Sequence, residues 1–146
     1  MRPLPTHHHR FPERAIDRGT VRRFMSSAAH PIDCQQPLER AQAAMRTHQV
    51  EQLPVLCKGK LAGIITERAA YTAPTESPMT TLVVEHAMTR DVYTVGPNEP
   101  ISEVARAMVR GGFGCAVVVD GATICGVFTT TDALRALVQL ALKAEA

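Results

Sequence analysis

The sequence predicts an α/β (α+β) fold made of two tandem βαββα repeats. Three observations support this prediction. First, the pattern of apolar and turn residues recurs at a constant offset of 63 residues without a gap. Second, each copy has one stretch of helical periodicity between short apolar runs rich in β-branched residues. Third, a turn that contains glycine separates the last two apolar runs of each copy. Two such runs joined by a tight turn are typical of a β-hairpin.

The repeat is visible at positions that a core or a turn needs. Identical residues 63 positions apart are Val21 and Val84, Met25 and Met88, Pro37 and Pro100, Ala44 and Ala107, Met45 and Met108, Val55 and Val118, Gly63 and Gly126, and Thr66 and Thr129. We therefore divide the chain into a basic, mobile N-terminal tail at residues 1–20, a first repeat with its linker at residues 21–82, and a second repeat at residues 83–146.

The first half of each repeat predicts a short extended piece and then a helix. Residues 31–33 and 92–95 lead to Pro37 and Pro100, and proline is accepted at a helix start because its missing N–H does no harm there. The helices carry apolar stripes spaced three and four residues apart, which are Leu38, Ala41, Ala44 and Met45 in the first copy and Ile101, Val104, Ala105 and Met108 in the second.

The second half of each repeat predicts two strands and a closing helix. The second copy's first helix should stop at Gly111-Gly112, whereas the first copy's should fray after Met45, through Thr47-His48-Gln49. The strands that follow are joined by Lys58-Gly59-Lys60 or by Asp120-Gly121-Ala122. Residues 71–81, rich in proline and hydroxyl side chains, form a linker that replaces most of the first copy's closing helix.

Composition argues against membrane and metal-binding classes. The apolar runs are far too short to span a bilayer and the first residues lack a signal-peptide core, so we expect a cytoplasmic protein without membrane contact. The four cysteines, at positions 34, 57, 115 and 125, form no CxxC or CxxH pattern and should be buried and reduced. Neighbouring side chains of His7-His8-His9 point to opposite faces of an extended chain, so we predict no metal site.

The charge is unevenly distributed along the chain. Residues 1–23 hold six arginines against Glu13 and Asp17, a balance of +4, and the remaining residues hold ten basic and twelve acidic groups, a balance of −2. A basic tail can bind nucleic acid or an acidic partner. Because no Lys/Arg block is continuous and few aromatic residues are available for base stacking, we favour a solvated leader over nucleic-acid binding.

No set of residues points to catalysis. The repeat pattern does not bring a Ser/His/Asp or Cys/His set of residues to one site, and the sequence has no P-loop motif. The stretch Gly111-Gly112-Phe113-Gly114 follows a helix and precedes a strand, which is the reverse of a dinucleotide-binding fingerprint. We therefore predict that the protein is not an enzyme.

The most informative stretch is Gly126-Val127-Phe128-Thr129-Thr130-Thr131-Asp132. In it, an apolar strand is followed by three hydroxyl side chains and a carboxylate, at the point where a helix is predicted to begin. Such a junction offers unpaired backbone N–H groups and the positive end of a helix dipole, which suit a phosphate or the polar groups of a sugar. Thr and Asp are also preferred at helix N-caps. On these residues alone, a helix cap and a ligand site are equally good explanations.

These motifs resemble those of the CBS-domain pair, or Bateman module. The resemblance rests on the tandem βαββα units, the Met-Ser and Met-Thr openings at Met25 and Met88, the Leu53-Pro54-Val55 strand and the Gly-hydrophobic-hydrophobic-Thr motif, and it covers about Val21 to Leu142. It implies two sheets related by pseudo-two-fold symmetry, adenosyl ligands in clefts between the copies, and antiparallel homodimers stacked through helices. The stretch 133–142 fits a homodimer because it is too apolar for a lone surface helix.

The resemblance also implies a set of ligand-binding residues in the second repeat. The family signature Gly-h-h-Thr-x-x-Asp is matched by Gly126, Thr129 and Asp132, so Asp132 is expected to accept charge-assisted hydrogen bonds from the ribose hydroxyls. Thr129, with the neighbouring hydroxyl of Thr131, is expected to contact the sugar or phosphate. The base would lie against Tyr93 and Thr94 and against the strand start at Ala116 and Val117, largely through backbone contacts.

The first repeat departs from this signature. Ala69 stands where the ribose-binding Asp would be, and an alanine accepts no hydrogen bond from a diol. We therefore expect the first pocket to be the poorer one. Arg68 is a candidate phosphate anchor that reaches across the pseudo-two-fold, although an exposed arginine in the first turn of a helix is also commonplace.

Together these features predict a stand-alone regulatory module that binds one adenine nucleotide, AMP, ADP or ATP, near Asp132. It would signal to an unidentified partner protein by a shift between conformations, and it would need no other cofactor and no metal. S-adenosylmethionine, NAD and cyclic dinucleotides also carry groups that such a site accepts. The alternative is a structural interaction module with vestigial pockets, possibly contacting nucleic acid through its tail, and the missing Asp in the first repeat supports it.

Overall fold

The structure, a computed structural model, describes residues 19–73 and 82–145. The chain forms two compact units, unit 1 from residues 30–92 and unit 2 from residues 19–29 together with 93–145. Each unit contains one three-stranded sheet and helices, so the predicted α/β class with two repeated units is confirmed. The His7-His8-His9 triplet and most of the predicted linker lie outside the described residues.

The predicted βαββα order is present in both repeats, and each repeat also begins with a short helix that was not predicted. In chain order the elements are α1 (Val21–Phe24), β1 (Ile32–Asp33), α2 (Leu38–His48), β2 (Gln52–Cys57), β3 (Lys60–Thr66), α3 (Glu67–Thr72), α4 (Val84–Ala87), β4 (Thr94–Val95), α5 (Ile101–Gly111), β5 (Cys115–Asp120), β6 (Thr123–Thr129) and α6 (Thr130–Glu145). The closing helix of the first repeat, α3, has six residues, against sixteen in α6. None of the helices in the described part of the chain is long and apolar enough to cross a membrane.

The two sheets share one topology and one register. Their strand orders are β1-β2-β3 and β4-β5-β6, with a parallel pair followed by an antiparallel hairpin in each. Val55 lies opposite Gly63 and Val118 lies opposite Gly126, and a register shift follows both valines. The 63-residue offset therefore holds in three dimensions down to the position of the bulge.

Left-handed residues end the elements where the sequence predicts turns. Gly112 has φ +68° and caps the end of α5, and Gly121 has φ +62° in the β5–β6 turn. The predicted fraying of α2 after Met45 is wrong, because the helix continues to His48 and Gln49, with φ +54°, fills the left-handed position that ends it. Glycine is favoured at such positions because it has no Cβ to clash with the backbone.

The described segments of the two repeats are exchanged between the units. The helix α1 precedes the first repeat's sheet in sequence, yet it belongs to unit 2, where Val21 is fully buried in a cluster with Phe128 and Ala136. Correspondingly, α4 precedes the second repeat's sheet and belongs to unit 1, where Val84 is fully buried. The compact units therefore differ from the contiguous division at residues 21–82 and 83–146, which remains a prediction about the sequence repeats.

Each exchanged segment is fastened by two reciprocal backbone hydrogen bonds to the third strand of a sheet. The N–H of Ser26 donates to the carbonyl of Val127 at 2.9 Å, and the N–H of Val127 donates back at 3.0 Å. The N–H groups and carbonyls of Thr89 and Ile64 make the equivalent pair at 2.8 and 2.9 Å. Ser26 and Thr89 occupy equivalent positions, 63 residues apart, so the same device closes both units.

Two glycines make room for these crossings. A Cβ on Gly63 would lie 2.6 Å from the carbonyl oxygen of Thr89, and a Cβ on Gly126 would overlap the carbonyl oxygen of Ser26 even more closely. Because the obstructing atoms belong to the backbone, they cannot turn aside as a side chain would. The glycine of the Gly-h-h-Thr motif is thus required by the crossing segment.

The expectation that all four cysteines are reduced is wrong for Cys34 and Cys57, which form a disulfide with Cα atoms 5.3 Å apart. Cys34 follows β1 and Cys57 ends β2, and the parallel pairing of these strands brings the two residues side by side. Cys115 and Cys125 remain thiols. Cys115 is buried as predicted, and burial raises the pKa of its thiol to about 11.

We predict that Gly126→Ala lowers the free energy of unfolding by about 1–3 kcal/mol, the usual cost of forcing an extra carbon into a packed site. Chemical denaturation with intrinsic spectroscopic probes measures this change. The matched control is Gly114→Ala, because a Cβ at Gly114 meets no neighbouring atom within 4 Å. Equal stabilities of the two variants would contradict the role assigned to the crossing segment.

Candidate functional site

The candidate site is built on the junction between β6 and α6. Thr129 is the last residue of β6, and Thr130 begins the helix, so Thr129 occupies the N-cap position. Its hydroxyl oxygen accepts a hydrogen bond from the N–H of Asp132 at 3.2 Å. In return, the Asp132 Oδ2 atom accepts bonds from the N–H of Thr129 at 2.9 Å and from its hydroxyl at 3.0 Å. This reciprocal arrangement is a capping box.

The capping box holds a carboxylate in a nearly enclosed place. Asp132 is only 7% exposed and is one of two buried polar or charged residues in the described part of the chain. Its Oδ2 atom is occupied by both donors of Thr129, while its Oδ1 atom has a single partner, the Nη1 atom of Arg135, at the long distance of 3.3 Å. Since each carboxylate oxygen can accept about two hydrogen bonds, Oδ1 keeps accepting capacity.

The helix cap and the ligand site suggested by the sequence are therefore compatible. Thr129 uses its hydroxyl hydrogen on Asp132, so its side chain positions the carboxylate and is not free to donate elsewhere. Thr131 is exposed in the first turn of α6. Sequence reasoning missed Arg135, although its spacing of three residues from Asp132 on a helix indicates that the two side chains lie on one face.

The equivalent junction in unit 1 has only half of this arrangement. The hydroxyl of Thr66 accepts a hydrogen bond from the N–H of Ala69 at 3.1 Å, as Thr129 does from Asp132. Ala69 has no side-chain acceptor, and it packs against the apolar core of unit 1. Arg68 is exposed in the first turn of α3, and because it belongs to unit 1, its predicted phosphate contact stays a prediction.

The remaining predicted residues lie at the same edge of the unit 2 sheet as Thr129. Strands β4 and β5 are parallel, with Thr94 opposite Val117, while β6 runs antiparallel to β5 with Thr129 opposite Cys115. The starts of β4 and β5 and the end of β6 therefore meet at one edge. The structure brings Tyr93, Ala116 and Thr129 to this edge, which the sequence predicted only through the family resemblance.

The side chains at this edge are largely turned into the core. Ala116 and Val117 are fully buried, and Tyr93 is buried with its ring stacked on Phe113 at a centroid distance of 5.4 Å. Thr94 is half-buried. The N–H of Val117 donates to the carbonyl of Tyr93 at 2.9 Å. Any ligand at this edge would thus meet backbone atoms and small side chains, as the resemblance implied.

Two acidic side chains shape the electrostatics beside β4. Burial, together with the smaller effects of the negative charges of Glu99 and then Glu103, raises the pKa of Tyr93 to about 12. Burial also raises the pKa of Glu99, while a hydrogen bond that its Oε2 accepts from the N–H of Gly96 acts in the opposite direction. The phenol of Tyr93 is therefore neutral at physiological pH.

An apolar groove of unit 2 is separate from this polar edge. It has a volume of about 700 Å³ and lies between α5 and α6, where Thr130 lines it but Thr129 and Asp132 do not. Within the described residues, no group of three or more His, Cys, Asp or Glu side chains is arranged to hold a metal ion. The polar edge offers hydrogen-bond acceptors and a helix N-terminus, which suit an organic ligand.

We predict that Glu99→Gln lowers the pKa of Tyr93 below its value of about 12, because one neighbouring negative charge is removed while burial remains. The phenolate absorbance measures this titration in a Tyr71→Phe background, where Tyr93 is the single tyrosine. The raised pKa means that wild type loses stability as pH rises from 10.0 towards about 12, and Glu99→Gln should lose less.

The control for this titration is Glu103→Gln, which should lower the pKa of Tyr93 by less, since Glu103 is the smaller of the two charge effects. An unchanged or higher pKa of Tyr93 in Glu99→Gln would contradict the electrostatic assignment.

Comparison with known proteins agrees with this architecture. A protein of Methanocaldococcus jannaschii, itself uncharacterized, is 30% identical over 118 residues, which are 80% of this chain and 42% of that protein. Inosine-5'-monophosphate dehydrogenase of Korarchaeum cryptofilum is 35% identical over 96 residues, which are 65% of this chain and 19% of the enzyme. The chain thus spans less than half the length of these two relatives.

A solved structure shares the fold over most of its length. The CBS domain pair of protein MJ0100, in complex with 5'-methylthioadenosine and S-adenosyl-L-methionine, has a TM-score of 0.72 and 26% identity, covering 82% of this chain and 96% of that one. The sequence profile of the CBS domain matches this chain twice, at residues 21–74 and 84–139. The chain therefore belongs to the CBS-domain family and contains a tandem pair of these domains.

Proposed function

We propose that this CBS pair is a regulatory module that binds one adenine nucleotide, AMP, ADP or ATP, at the polar edge of unit 2. The observation that carries the proposal is the nearly buried Asp132 carboxylate, which Thr129 holds through Oδ2 while Oδ1 retains accepting capacity. A carboxylate fixed in this way does not need to be ordered when a ligand arrives. Its hydrogen bonds to a ribose diol would be charge-assisted and hence strong.

Arg135 and the start of α6 complete the chemistry of this proposal. Arg135 is exposed and holds Oδ1 only through a 3.3 Å contact, so a ribose hydroxyl could replace it there. The guanidinium would then be available to a phosphate, for which its planar fork of donors is suited. The helix N-terminus adds a favourable dipole for the same negative charge. The site thus has complementary groups for both the sugar and the phosphate.

The relative of known structure supports the ligand class. The CBS pair of protein MJ0100 was solved with 5'-methylthioadenosine and S-adenosyl-L-methionine, two compounds that share an adenosyl group. A ribose-directed Asp132 fits that shared group. Because unit 1 has Ala69 in place of the carboxylate, we propose one nucleotide per chain.

The proposed role is regulatory, without catalysis by the chain itself. In the dehydrogenase relative, the matching segment covers only 19% of the enzyme, so this similarity says nothing about a dehydrogenase activity here. We propose that nucleotide binding shifts the conformation of this cytoplasmic module and that a partner protein reads the shift. The second candidate, an interaction module with vestigial pockets, is supported by Ala69 alone.

We predict that an adenine nucleotide at a hundred times its dissociation constant stabilises wild type by roughly 2.7 kcal/mol. In Asp132→Asn the dissociation constant should rise at least tenfold, because the amide has lost the charge and one accepting oxygen. Thermal unfolding with AMP, ADP, ATP, adenosine and S-adenosylmethionine measures both effects. Each variant is compared with its own ligand-free melting temperature, since weakening the cap alone costs about 1 kcal/mol.

The matched control is Asp120→Asn, which makes the same substitution at the exposed last residue of β5 and should leave binding unchanged. If none of these compounds stabilises wild type, or if Asp132→Asn is stabilised as much as wild type, the proposed site is wrong. Stabilisation by S-adenosylmethionine without any by AMP, ADP or ATP would keep the site and change the ligand.

A further inference from the structure

The disulfide of unit 1 lies at the edge of the sheet opposite to the Thr66–Ala69 junction. Cys57 is the last residue of β2, whereas Thr66 lies opposite Gln52 at the other end of the same hairpin. Cys34 directly follows β1, an edge strand of only two residues that pairs with β2. The disulfide therefore adds a covalent tie at the point where the strand pairing is shortest.

The segment that follows β1 holds the start of α4. The carbonyl of Cys34 accepts a hydrogen bond from the N–H of Glu85 at 2.9 Å, and the carbonyl of Gln36 accepts one from the N–H of Val84 at 2.8 Å. The side-chain amide of Gln35 also donates to the Oε2 atom of Glu85 at 2.8 Å. Cys34 thus carries the disulfide and also binds the helix that begins the second repeat.

Unit 2 holds α1 through the same two backbone bonds but without a disulfide. The N–H of Arg22 donates to the carbonyl of Pro97 at 2.9 Å, and the N–H of Val21 donates to the carbonyl of Glu99 at 3.0 Å. All four residues lie 63 positions from their counterparts in unit 1. The hydrogen-bonded arrangement therefore forms without a covalent tie, so unit 1 should also keep its fold when the disulfide is open.

Unit 2 restrains the equivalent segment by groups that do not take part in redox chemistry. At the positions of the two disulfide cysteines it has Pro97 and Asp120, so it cannot form this bond. The ring of Pro97 fixes the backbone φ angle. The Oε2 atom of Glu99 accepts a hydrogen bond from the N–H of Gly96 and closes the turn. Unit 1 differs from unit 2 in using a bond that a thiol can break.

Cys57 is the accessible end of the disulfide. It is half-buried and directly precedes the β2–β3 turn, whereas Cys34 is only 5% exposed. The exposed Lys58 and Lys60 flank the turn beside it, and their positive charges attract an approaching thiolate. Since thiol–disulfide exchange depends on access to the attacked sulfur, the geometry favours attack at Cys57 with Cys34 as the leaving group.

We infer that Cys34 and Cys57 form a reversible thiol–disulfide exchange site, reduced by a dithiol, that controls how firmly α4 is held in unit 1. One thiolate of the dithiol attacks the Sγ atom of Cys57, and the electron pair of the S–S bond leaves with the Sγ atom of Cys34, which takes a proton. The second thiolate of the dithiol then attacks its partner sulfur in the mixed disulfide and releases Cys57, which is also protonated. The dithiol thereby loses two electrons and two protons, which the cysteine pair gains.

Reduction loosens α4 without unfolding unit 1, because the backbone bonds remain and Val84 stays buried in the core. The cytoplasmic location proposed above fits a reversible bond, since disulfides of cytoplasmic proteins are usually transient and are often redox-sensing. The site gives the module an input separate from the proposed nucleotide site, because Asp132 belongs to unit 2.

The test is hydrogen–deuterium exchange of the full-length chain with and without dithiothreitol. Alkylation after denaturation should count two thiols in the oxidised chain and four in the reduced chain. We expect residues 33–38 and 82–88 to exchange at least about tenfold faster after reduction, and the equivalent residues 96–101 and 19–25 of unit 2 to change by less than about twofold.

Two variants separate the bond from the reductant. Cys57→Ser removes the bond and leaves the buried Cys34 in place, so it should exchange like reduced wild type whether or not dithiothreitol is present. The matched control is Cys125→Ser, which makes the same substitution at a half-buried thiol of unit 2 and should respond to dithiothreitol as wild type does. Circular dichroism close to that of wild type confirms that both variants are folded.

Three results would overturn the inference. Four alkylated thiols after equilibration with oxidised glutathione show that the two cysteines do not form the bond. A disulfide that excess dithiothreitol leaves intact in the folded chain is closed to exchange. Exchange that is unchanged by reduction, or that accelerates equally in both units, shows that the bond does not control α4.

Discussion

The structure depends on a backbone crossing that is made twice. Ser26 pairs with Val127 and Thr89 pairs with Ile64 through reciprocal hydrogen bonds, and each crossing passes over a glycine that has no room for a Cβ. These bonds hold α1 in unit 2 and α4 in unit 1, so the core of each unit is completed by the first helix of the other sequence repeat. The chain consequently passes between the units near residues 29–30 and 92–93, and neither contiguous repeat contains all of one core.

The candidate nucleotide site is built on this frame. Ser26 forms its hydrogen bonds with Val127, two residues before β6 ends at Thr129. The helix α6 begins directly after Thr129, and its Ala136 is buried in the same cluster as Val21 of α1. The capping box then fixes Asp132 relative to the sheet edge. Unit 1 has the same crossing and the same threonine cap, but Ala69 stands in place of the carboxylate. The fold therefore keeps the threonine cap in both units and forms without the acidic side chain in unit 1. This separation supports a ligand-directed role for Asp132, in addition to its contribution to the helix cap.

The repeat made much of the fold and part of the site predictable from the sequence. An offset that places Gly63 with Gly126 and Thr66 with Thr129 specifies the strands, the turns and the asymmetry at Ala69 and Asp132. The exchange of α1 and α4 was not predictable, because an apolar stripe shows that a helix is buried but not which sheet covers it. The disulfide was missed because its partners come together only through the parallel pairing of β1 with β2. The burial of Tyr93 against Phe113 likewise depends on tertiary packing, and it is compatible with the predicted contacts through the backbone.

The central claim is that the carboxylate present in unit 2 and absent from unit 1 gives the chain one adenosyl site. Native mass spectrometry of the freshly purified chain, with AMP or S-adenosylmethionine added, counts the ligands bound to each chain directly. The account predicts a mass increase of one ligand per chain at saturation, and none for Asp132→Asn at the same concentration. Two ligands of equal affinity per chain, or one ligand that persists in Asp132→Asn, would contradict it.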